Sequence, residues 1–305
     1  MQTAIVTGAT GMIASAVIRN LIQKGIKVYA LCKPGEEKKD EFFRSPLVKA
    51  IDVDISRFED AQKEIEEKCD VLYHFAWLGT FGGVRDDVYL QNDNIKYTLD
   101  AVKLAYETGC NCFVGAGSQA EYGMTTEKLT AKTPTAPTTG YGIAKLAAGS
   151  LSRLYAQSFG IRHIWARILS VYGQKGNPNT IIPSSIAKFI KGEHCQFTPA
   201  EQEWDFMHCD DVAQAFYLMG EKGRDGAIYP LGTGSTHKLK DYIIELRNIV
   251  NKDATVGIGE LPYNKNQVMY LCADISELTA DTGFVSSISF EEGIKRTLEW
   301  MKEQE

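Results

Sequence analysis

The chain opens with a short apolar run, a glycine-containing turn and an amphipathic helix, and this unit constrains the fold more than any other stretch. Residues 3–6 read Thr-Ala-Ile-Val, which is typical of a buried strand. The turn at 7–14 follows directly, and apolar residues then recur at helical spacing until Gly25. Gly8 permits a tight turn, and Gly11 lets another group approach the backbone closely. A strand, a glycine turn and a helix start in this order present free N–H groups and a positive dipole end, which is the arrangement that holds a pyrophosphate.

Strand-like and helix-like stretches alternate along the rest of the chain. Alternation of this kind predicts an α/β fold with a doubly wound parallel sheet, the Rossmann arrangement. The pattern changes after residue 173, where a polar stretch rich in glycine and proline begins. We therefore predict that 1–173 form a dinucleotide-binding domain that also receives about 205–235. Residues 174–204 and 236–305 are predicted to form a smaller, mixed α/β cap that binds the substrate.

The end of the second strand bears on the choice between NAD and NADP. In folds of this kind an acidic residue at that strand end would hydrogen-bond the adenosine ribose of NAD. The sequence has no acid there before Glu36; Cys32 occupies the position and Lys33 follows. A cation suits a 2′-phosphate, so the sequence favours NADP over NAD. The alternative interpretation of Lys33 is a solvated lysine in a turn.

Tyr141 and Lys145 lie four residues apart at the start of an apolar helical run. They would share one helix face, and an ammonium beside a phenol lowers the pKa of the tyrosine. A phenol of this kind can act as a general acid or base. The spacing is common by chance, and an ordinary helix start is the alternative. Ser118 follows the fifth strand-like run, and because strand ends and helix starts meet at one sheet edge, its hydroxyl is expected to bridge Tyr141 and a substrate oxygen.

Three further stretches give structural expectations. A polar helix is expected at about 57–68. His74 lies in the apolar run of the fourth strand and is interpreted as a structural histidine, not a metal ligand or base. The glycine-rich, aromatic loop at 77–83 follows that strand, and such loops at the carboxyl edge of a parallel sheet line sites.

Composition excludes several classes of function. The chain has 305 residues and a net charge of −6, which gives no electrostatic footprint for nucleic acid. No apolar run approaches the ~18 residues of a membrane span. A strand-like run follows Met1 almost at once, which leaves no room for a signal peptide, so a cytoplasmic location is expected. The seven cysteines are scattered without zinc spacing, so free thiols and no metal are expected.

Taken together, the motifs resemble the extended short-chain dehydrogenases/reductases, in particular the NAD-dependent nucleotide-sugar epimerase, dehydratase and 4-reductase branch. The resemblance covers essentially the whole chain. The segments that carry it are Thr7-Gly8-x-x-Gly11-x-x-Ala14, Asp54-Ile55, His74-Phe75-Ala76, Asn94 to Thr98, Ser118, Pro134-x-x-Pro137, Tyr141-x-x-x-Lys145, Arg167, Val171-Tyr172-Gly173, Asp205-Phe206, His208 and Asp210-Asp211-Val212.

The resemblance implies three catalytic residues. Tyr141 would be the general acid or base on a sugar carbonyl or hydroxyl, Lys145 would lower its pKa and bind the nicotinamide ribose, and Ser118 would orient the substrate oxygen. The position of Lys33 after the second strand and the family resemblance together assign a set of residues to the cofactor. These are Gly8, Thr10, Gly11, Met12, Ile13, Lys33, Asp54, Ile55, Phe75, Ala76, Trp77, Asn94, Ala116, Tyr141, Lys145 and Ile168. Those assigned to the nucleotide-sugar substrate are Thr80, Arg85, Gln119, Ser170 and Trp204.

The resemblance also implies a homodimer, because such proteins usually associate through the helices that correspond to 87–107 and 141–159. Apolar outer positions such as Leu99 and Leu151 would then contact the partner. The alternative is that these side chains belong to the core of one chain.

The chain departs from the family pattern at the substrate end. Trp204 stands where an arginine usually grips the substrate diphosphate, and Ser170 stands where an asparagine is usual. Arg85, Lys188 or Lys265 are the candidates to replace that cation.

These features predict an NAD(P)-dependent oxidoreductase that reduces the 4-keto group of a nucleotide-linked deoxy sugar. A nucleotide-sugar 4-epimerase with tightly bound NAD is the close alternative, because it uses the same tyrosine and lysine. Dehydration is disfavoured, because a dehydratase of this family would have an Asp-Glu pair after the Ser118 position. In this chain Gln119 and Ala120 follow Ser118. A non-catalytic dinucleotide sensor is a third possibility, and it is disfavoured because such proteins usually lose the Tyr141–Lys145 pair.

Overall fold

A computed structural model describes residues 1–265 and 267–304 of the chain. The strands in chain order are β1 (Thr3–Thr7), β2 (Lys27–Cys32), β3 (Val48–Asp52), β4 (Val71–His74), β5 (Cys112–Ser118), β6 (Arg162–Ile168), β7 (Ser170–Tyr172), β8 (Cys195–Phe197), β9 (Glu203–Trp204), β10 (Phe206–His208), β11 (Ile228–Leu231), β12 (His237–Lys238), β13 (Val256–Ile258) and β14 (Tyr270–Leu271). The helices are α1 (Met12–Gln23), α2 (Phe58–Ala61), α3 (Val88–Glu107), α4 (Gly140–Ser158), α5 (Ile181–Ile190), α6 (Cys209–Lys222), α7 (Leu239–Val250), α8 (Ser276–Thr282) and α9 (Phe290–Glu303).

Seven parallel strands form the central sheet in the order β11-β6-β5-β4-β1-β2-β3. The strands other than the edge strand β3 are buried almost throughout, because helices cover both faces of the sheet. Helices α1 and α6 pack together on one face, and α3 and α4 pack together on the other. The predicted doubly wound Rossmann sheet is confirmed. Its strand order reverses between β1 and β4, which is where such sheets bind ligands.

In the part of the chain that the structure describes, three small sheets lie outside the central one. Strand β7 pairs with β10, β8 pairs with β13, and β9 lies between β12 and β14. Helices α5, α7 and α9 enclose a separate apolar cluster beside them. These elements come from the part of the chain that the sequence assigns to a mixed α/β cap, and the exact division into domain and cap stays a prediction.

The polar helix expected at 57–68 is wrong in extent. The chain forms a 3-10 turn at Ile55–Arg57, the short α2, and a second 3-10 turn at Gln62–Glu64. Ile65 then packs against the apolar cluster under α3 in an extended conformation, and this contact ends the helical geometry. No helix in the described ranges 1–265 and 267–304 combines the length and apolar character that a membrane crossing requires.

Candidate active site

A cavity of about 870 Å³ lies at the carboxyl edge of the central sheet. It runs from the glycine turn after β1 to the small sheets beside the central one. Every residue that the sequence assigned to catalysis, cofactor or substrate lines this cavity, with the exception of Asn94. The topology therefore brings together residues from positions 8 to 204 that the sequence could connect only through motifs.

The glycine turn closes one end of the cavity against the strand beside it. Gly8 has a φ of +67°, and a Cβ atom there would lie 2.9 Å from the backbone nitrogen of Ala76. Glycine is therefore required both for the backbone conformation and for the close approach of β1 to the chain after β4. Gly11 begins α1 without a side-chain cap, and Gly11 to Ala14 line the cavity. An uncapped helix start beside a glycine turn fits the pyrophosphate of a dinucleotide.

The part of the cavity near the end of β2, where the sequence predicts the adenosine, contains charges of both signs. Lys33 lines the cavity, as expected. Glu36 also lines it, and its carboxylate accepts a hydrogen bond from the Thr10 hydroxyl. The sequence has no acidic residue at the end of β2 itself. The turn after β2, however, brings the Glu36 carboxylate back to the glycine turn. Asp54 lines the cavity too, and its carboxylate accepts hydrogen bonds from the amide and hydroxyl of Ser56, which lower its pKa.

The three candidate catalytic residues meet where β5 ends and α4 begins. The Thr139 hydroxyl caps α4 by accepting the Gly142 N–H at 3.1 Å, which fixes where the helix starts. Lys145 follows one turn after Tyr141, and its side chain is only 4% exposed. Its Nζ donates to the Ala116 carbonyl at 2.7 Å. Tyr141 is half-buried in the cavity wall, and Ser118 lies beside it at the end of β5.

Burial dominates the electrostatics of this pair. It lowers the pKa of the Lys145 ammonium to about 7. It also raises the pKa of the Tyr141 phenol, while the neighbouring Ser118 hydroxyl and Arg85 guanidinium oppose that rise. The sequence predicted a tyrosine with a lowered pKa set by Lys145. The structure corrects this, because desolvation outweighs the neighbouring groups and because the opposing cation is Arg85.

A loop after β4 covers Lys145 and is held by α3. Trp77 lies in this loop, and its indole ring is 3.6 Å from the Lys145 Nζ and edge-on to the Tyr141 ring at 6.0 Å. The indole N–H donates to the Gln91 side chain at 2.9 Å. Asn94 is buried outside the cavity and bonds the Leu78 amide and carbonyl, both at 2.9 Å. The resemblance also implies that Asn94 anchors the loops at the strand ends, and these hydrogen bonds are of that kind. Its assignment to the cofactor stays a prediction.

A buried ion pair supports Ser118 from behind. The Glu121 carboxylate accepts from the Arg167 guanidinium at 2.7 Å, from the Trp165 indole at 2.9 Å and from the Ser118 amide at 2.8 Å. Glu121 is 0% exposed and Arg167 only 3%. Sequence reasoning recorded Arg167 as a family motif but missed its partner. The signal was present, since Ser118 and Glu121 form a Ser-x-x-Glu capping box directly after a strand.

The end of the cavity around Trp204, where the sequence predicts the substrate, is lined by aromatic and neutral side chains. The Trp204 indole N–H donates to the Ser170 hydroxyl at 2.7 Å, so two residues assigned to the substrate contact each other. Thr80 and Gln119 also line the cavity. The sequence did not identify several other residues at this end, namely Thr180, Ile181, Ile182, Gln202, Phe206, Leu239 and Gln267.

Of the three candidates to replace the missing arginine, Arg85 lines the cavity. Within 1–265 and 267–304, the lysine and arginine residues that line the cavity are Lys33, Arg85 and Lys145. Arg85 packs on the Tyr141 ring and not beside Trp204, and the proposed substitutes Lys188 and Lys265 do not line the cavity. The substrate end therefore carries no lysine or arginine among these described residues.

Two buried histidines do not line the cavity. His74 is buried between the hydroxyls of Thr7 at 3.0 Å and Thr98 at 3.3 Å, which confirms the interpretation as a structural histidine. His208 lies next to Cys209 and Asp210, and ligand atoms of these three residues come within 4.8 Å of one another.

The charges around this second group disfavour a cation. The Asp210 carboxylate is paired with the guanidinium groups of Arg19 at 3.4 Å and Arg296 at 3.3 Å. The only carboxylate of the group is therefore already neutralised by two positive charges.

Comparisons with known proteins find a family model and relatives that are named as nucleotide-sugar enzymes. A model of the NAD dependent epimerase/dehydratase family matches residues 4–232. A trifunctional UDP-glucose 4,6-dehydratase/UDP-4-keto-6-deoxy-D-glucose 3,5-epimerase/UDP-4-keto-L-rhamnose-reductase of Arabidopsis thaliana is 26% identical over 322 residues, which cover 97% of this chain. The chain spans only 46% of the length of that plant protein. A UDP-glucuronate 4-epimerase of Thermodesulfobacterium geofontis is 28% identical over 320 residues, which cover 98% of this chain and 96% of that protein.

A solved structure shares the fold over the full length. It is a UDP-N-acetylglucosamine 4-epimerase of Methanobrevibacter ruminantium in complex with UDP-N-acetylmuramic acid, with a TM-score of 0.89 and 21% sequence identity. The two chains are covered to 100% and 99%, respectively. The family match spans the glycine turn, the Tyr141–Lys145 helix and the last strand of the central sheet. The chain belongs to the NAD dependent epimerase/dehydratase family.

Proposed function

We propose that the chain is an NAD(P)-dependent oxidoreductase that reduces the 4-keto group of a nucleotide-linked deoxy sugar. The observation that carries this proposal is that Ser118, Tyr141 and Lys145 line the same cavity as the glycine turn and Trp204. A cofactor held at that turn would extend along the cavity towards Tyr141. A sugar that enters from the Trp204 side would meet it there.

The side chains have distinct parts in this chemistry. When bound, a nicotinamide cofactor supplies the hydride. Tyr141 donates its phenolic proton to the sugar oxygen as the carbonyl becomes a hydroxyl, and Ser118 holds that oxygen by a hydrogen bond. Lys145, one helical turn from Tyr141, binds the nicotinamide ribose and contributes part of the positive charge near the resulting phenolate. Trp77 covers Lys145 and keeps water away from the ammonium.

A 4-epimerase is the second candidate. The Thermodesulfobacterium relative and the solved Methanobrevibacter structure both carry that name, and each resembles the chain over nearly its full length. The same tyrosine and lysine serve both reactions. A non-catalytic sensor is less well supported, because Tyr141 and Lys145 are both kept and both line the cavity.

A panel of nucleotide-linked 4-keto sugars, assayed for consumption of NADPH and NADH, tests the proposal. A reductase consumes the reduced cofactor in proportion to the sugar that it converts. A 4-epimerase acts instead on a nucleotide sugar whose C4 carries a hydroxyl, so the panel also includes such sugars, and an epimerase would convert them with no net change in nicotinamide absorbance. Protein that is purified with tightly bound NAD and oxidises no added NADPH with any keto sugar would sink the reductase proposal.

The preference for NADP is a separate proposal, and Lys33 carries it. Replacement of Lys33 by aspartate is expected to shift preference from NADPH towards NADH by on the order of tenfold, which corresponds to ~1.4 kcal/mol. Glu36→Gln is expected to shift it the other way, because an anion at Thr10 repels a 2′-phosphate. The measurement is kcat/KM for both cofactors in each variant. An unchanged ratio in the Lys33 variant would mean that Lys33 is only a turn residue.

We also propose a homodimer through α3 and α4. On α4, Ile143, Leu151 and Leu154 are 55%, 45% and 59% exposed, which is unusual for large apolar side chains on one helix. Leu99 on α3 is less exposed than these three residues, since it is half-buried within the chain. Sedimentation velocity is expected to show a dimer that Leu151→Glu converts to monomer, while the exposed loop variant Leu261→Glu stays dimeric. A dimer in both variants would contradict this interface.

A further inference from the structure

Arg85 occupies a place next to the candidate general acid that the function above leaves unused. It lies in a 3-10 turn, Gly82–Asp86, between β4 and α3. Its Cζ atom is 4.6 Å from the centroid of the Tyr141 ring. Its Nε atom is buried and has no hydrogen-bond partner among the residues that the structure describes. The guanidinium is therefore desolvated on one side and faces an aromatic ring on another.

The turn that carries Arg85 is fixed to both neighbouring helices. The Asp86 carboxylate accepts the Gly140 N–H at 2.9 Å, which ties the turn to the start of α4. The Val84 carbonyl accepts from the Gln91 side chain at 3.1 Å, which ties it to α3. These bonds hold Arg85 against Tyr141 from a separate segment of chain.

Lys145 alone is not well placed to supply positive charge to the phenol. Its ammonium donates to the Ala116 carbonyl, packs on the Trp77 ring, and is 5.8 Å from the Tyr141 ring centroid. Because burial lowers its pKa to about 7, part of the Lys145 population is uncharged near neutral pH. A guanidinium stays charged throughout this range.

Charged groups face Tyr141 from three elements. Arg85 comes from the turn before α3, Lys145 from α4 itself, and Glu121 from the turn after β5. Glu121 opposes the phenolate, but its charge is compensated by Arg167. Of the permanently charged groups near Tyr141, Arg85 therefore has the largest effect on the stability of the phenolate.

We propose that Arg85 is a positioning residue of this reaction, whose guanidinium stabilises the phenolate of Tyr141 across the face of its ring. A cation is attracted to an aromatic face, and the attraction is stronger when the ring carries a negative charge. The inference rests on the proposed acid–base role of Tyr141 and is the same for a reductase and an epimerase. It assigns two cations from different segments to one phenol.

Titration of the Tyr141 phenol in the full chain tests this without any substrate. The chain is labelled with fluorotyrosine, and the Tyr141 resonance is identified by fluorine NMR as the one missing from Tyr141→Phe. Arg85→Gln is expected to move the titration midpoint of this resonance up by about one pH unit, since a neighbouring opposite charge typically lowers a pKa by about 1–3. Arg85→Lys, which keeps the charge, is expected to move it less.

Arg44→Gln is the matched control, because Arg44 is an exposed arginine in another 3-10 turn. It should leave the midpoint where it is. An unchanged midpoint in Arg85→Gln overturns the proposal, and a rise in substrate KM without a change in midpoint overturns it in favour of a direct substrate contact. Since the titration needs no turnover, its result is independent of whether the reductase assay succeeds.

Discussion

Replacing Tyr141 by phenylalanine is expected to lower turnover by about 10²–10⁴-fold, the usual contribution of an acid–base group. The change removes one hydroxyl and keeps the ring that packs between Trp77 and Arg85. Affinity for the cofactor is therefore expected to change little. The measurements are kcat with the keto sugar identified in the panel and cofactor binding by calorimetry.

Lys145→Met is the matched variant on the same helix. It removes the ammonium that bonds the Ala116 carbonyl and that is proposed to bind the nicotinamide ribose. Turnover and cofactor affinity should therefore both fall. Equal loss of cofactor binding in the Tyr141 and Lys145 variants would contradict the division of roles between them.

Breaking the Glu121–Arg167 pair is expected to have the largest effect on stability. Arg167→Met leaves the Glu121 carboxylate buried without its cation, which typically costs about 3–5 kcal/mol of unfolding free energy. The double variant Glu121→Leu with Arg167→Met should recover much of this loss, because no unpaired charge remains. Urea unfolding of the single and double variants measures the loss of unfolding free energy in Arg167→Met and its recovery in the double variant.

An exposed ion pair provides the comparison for this prediction. Lys295 and Glu291 lie one helical turn apart on α9 at 2.6 Å, and both side chains are more than half exposed. Glu291→Gln should cost only about 0–1 kcal/mol, because water screens the pair. If Arg167→Met and Glu291→Gln lose equal unfolding free energy, the Glu121–Arg167 pair does not make the larger contribution to stability that its burial implies. Glu121→Gln should in addition lower kcat, since Glu121 holds the Ser118 amide.

Local patterns were sufficient for the central sheet and for most of the site. Gly8 and Gly11 follow a strand and precede a helix, so their role could be inferred from neighbours in sequence alone. Tyr141 and Lys145 needed only the helical period. The meeting of Ser118 with Tyr141 followed from the general rule that parallel strands end at one edge. In each case the determining contacts are either local or dictated by sheet topology.

The features that could not be predicted depend on particular contacts between distant segments. Glu121 meets Arg167 only because β5 and β6 are neighbours in register. Glu36 reaches Thr10 through the path of one turn. Arg85 reaches Tyr141 because its turn packs on the start of α4. Contacts of this kind leave no periodic pattern in the sequence. The residues that make them, Glu121, Glu36 and Arg85, contribute charges around the site.

The strand that carries Trp204 has a consequence for how such a site can be inherited. Strand β9 has two residues, and its hydrogen-bonding neighbours are β12 at His237–Lys238 and β14 at Tyr270–Leu271. Neither neighbour is adjacent to it in the chain. A recombination crossover between residues 204 and 237 would join Trp204 to neighbouring strands from another gene. Because Trp204 is proposed to contact the substrate, we expect new substrate preferences on this scaffold to be easier to reach by point substitutions around Trp204 than by exchange of one contiguous segment.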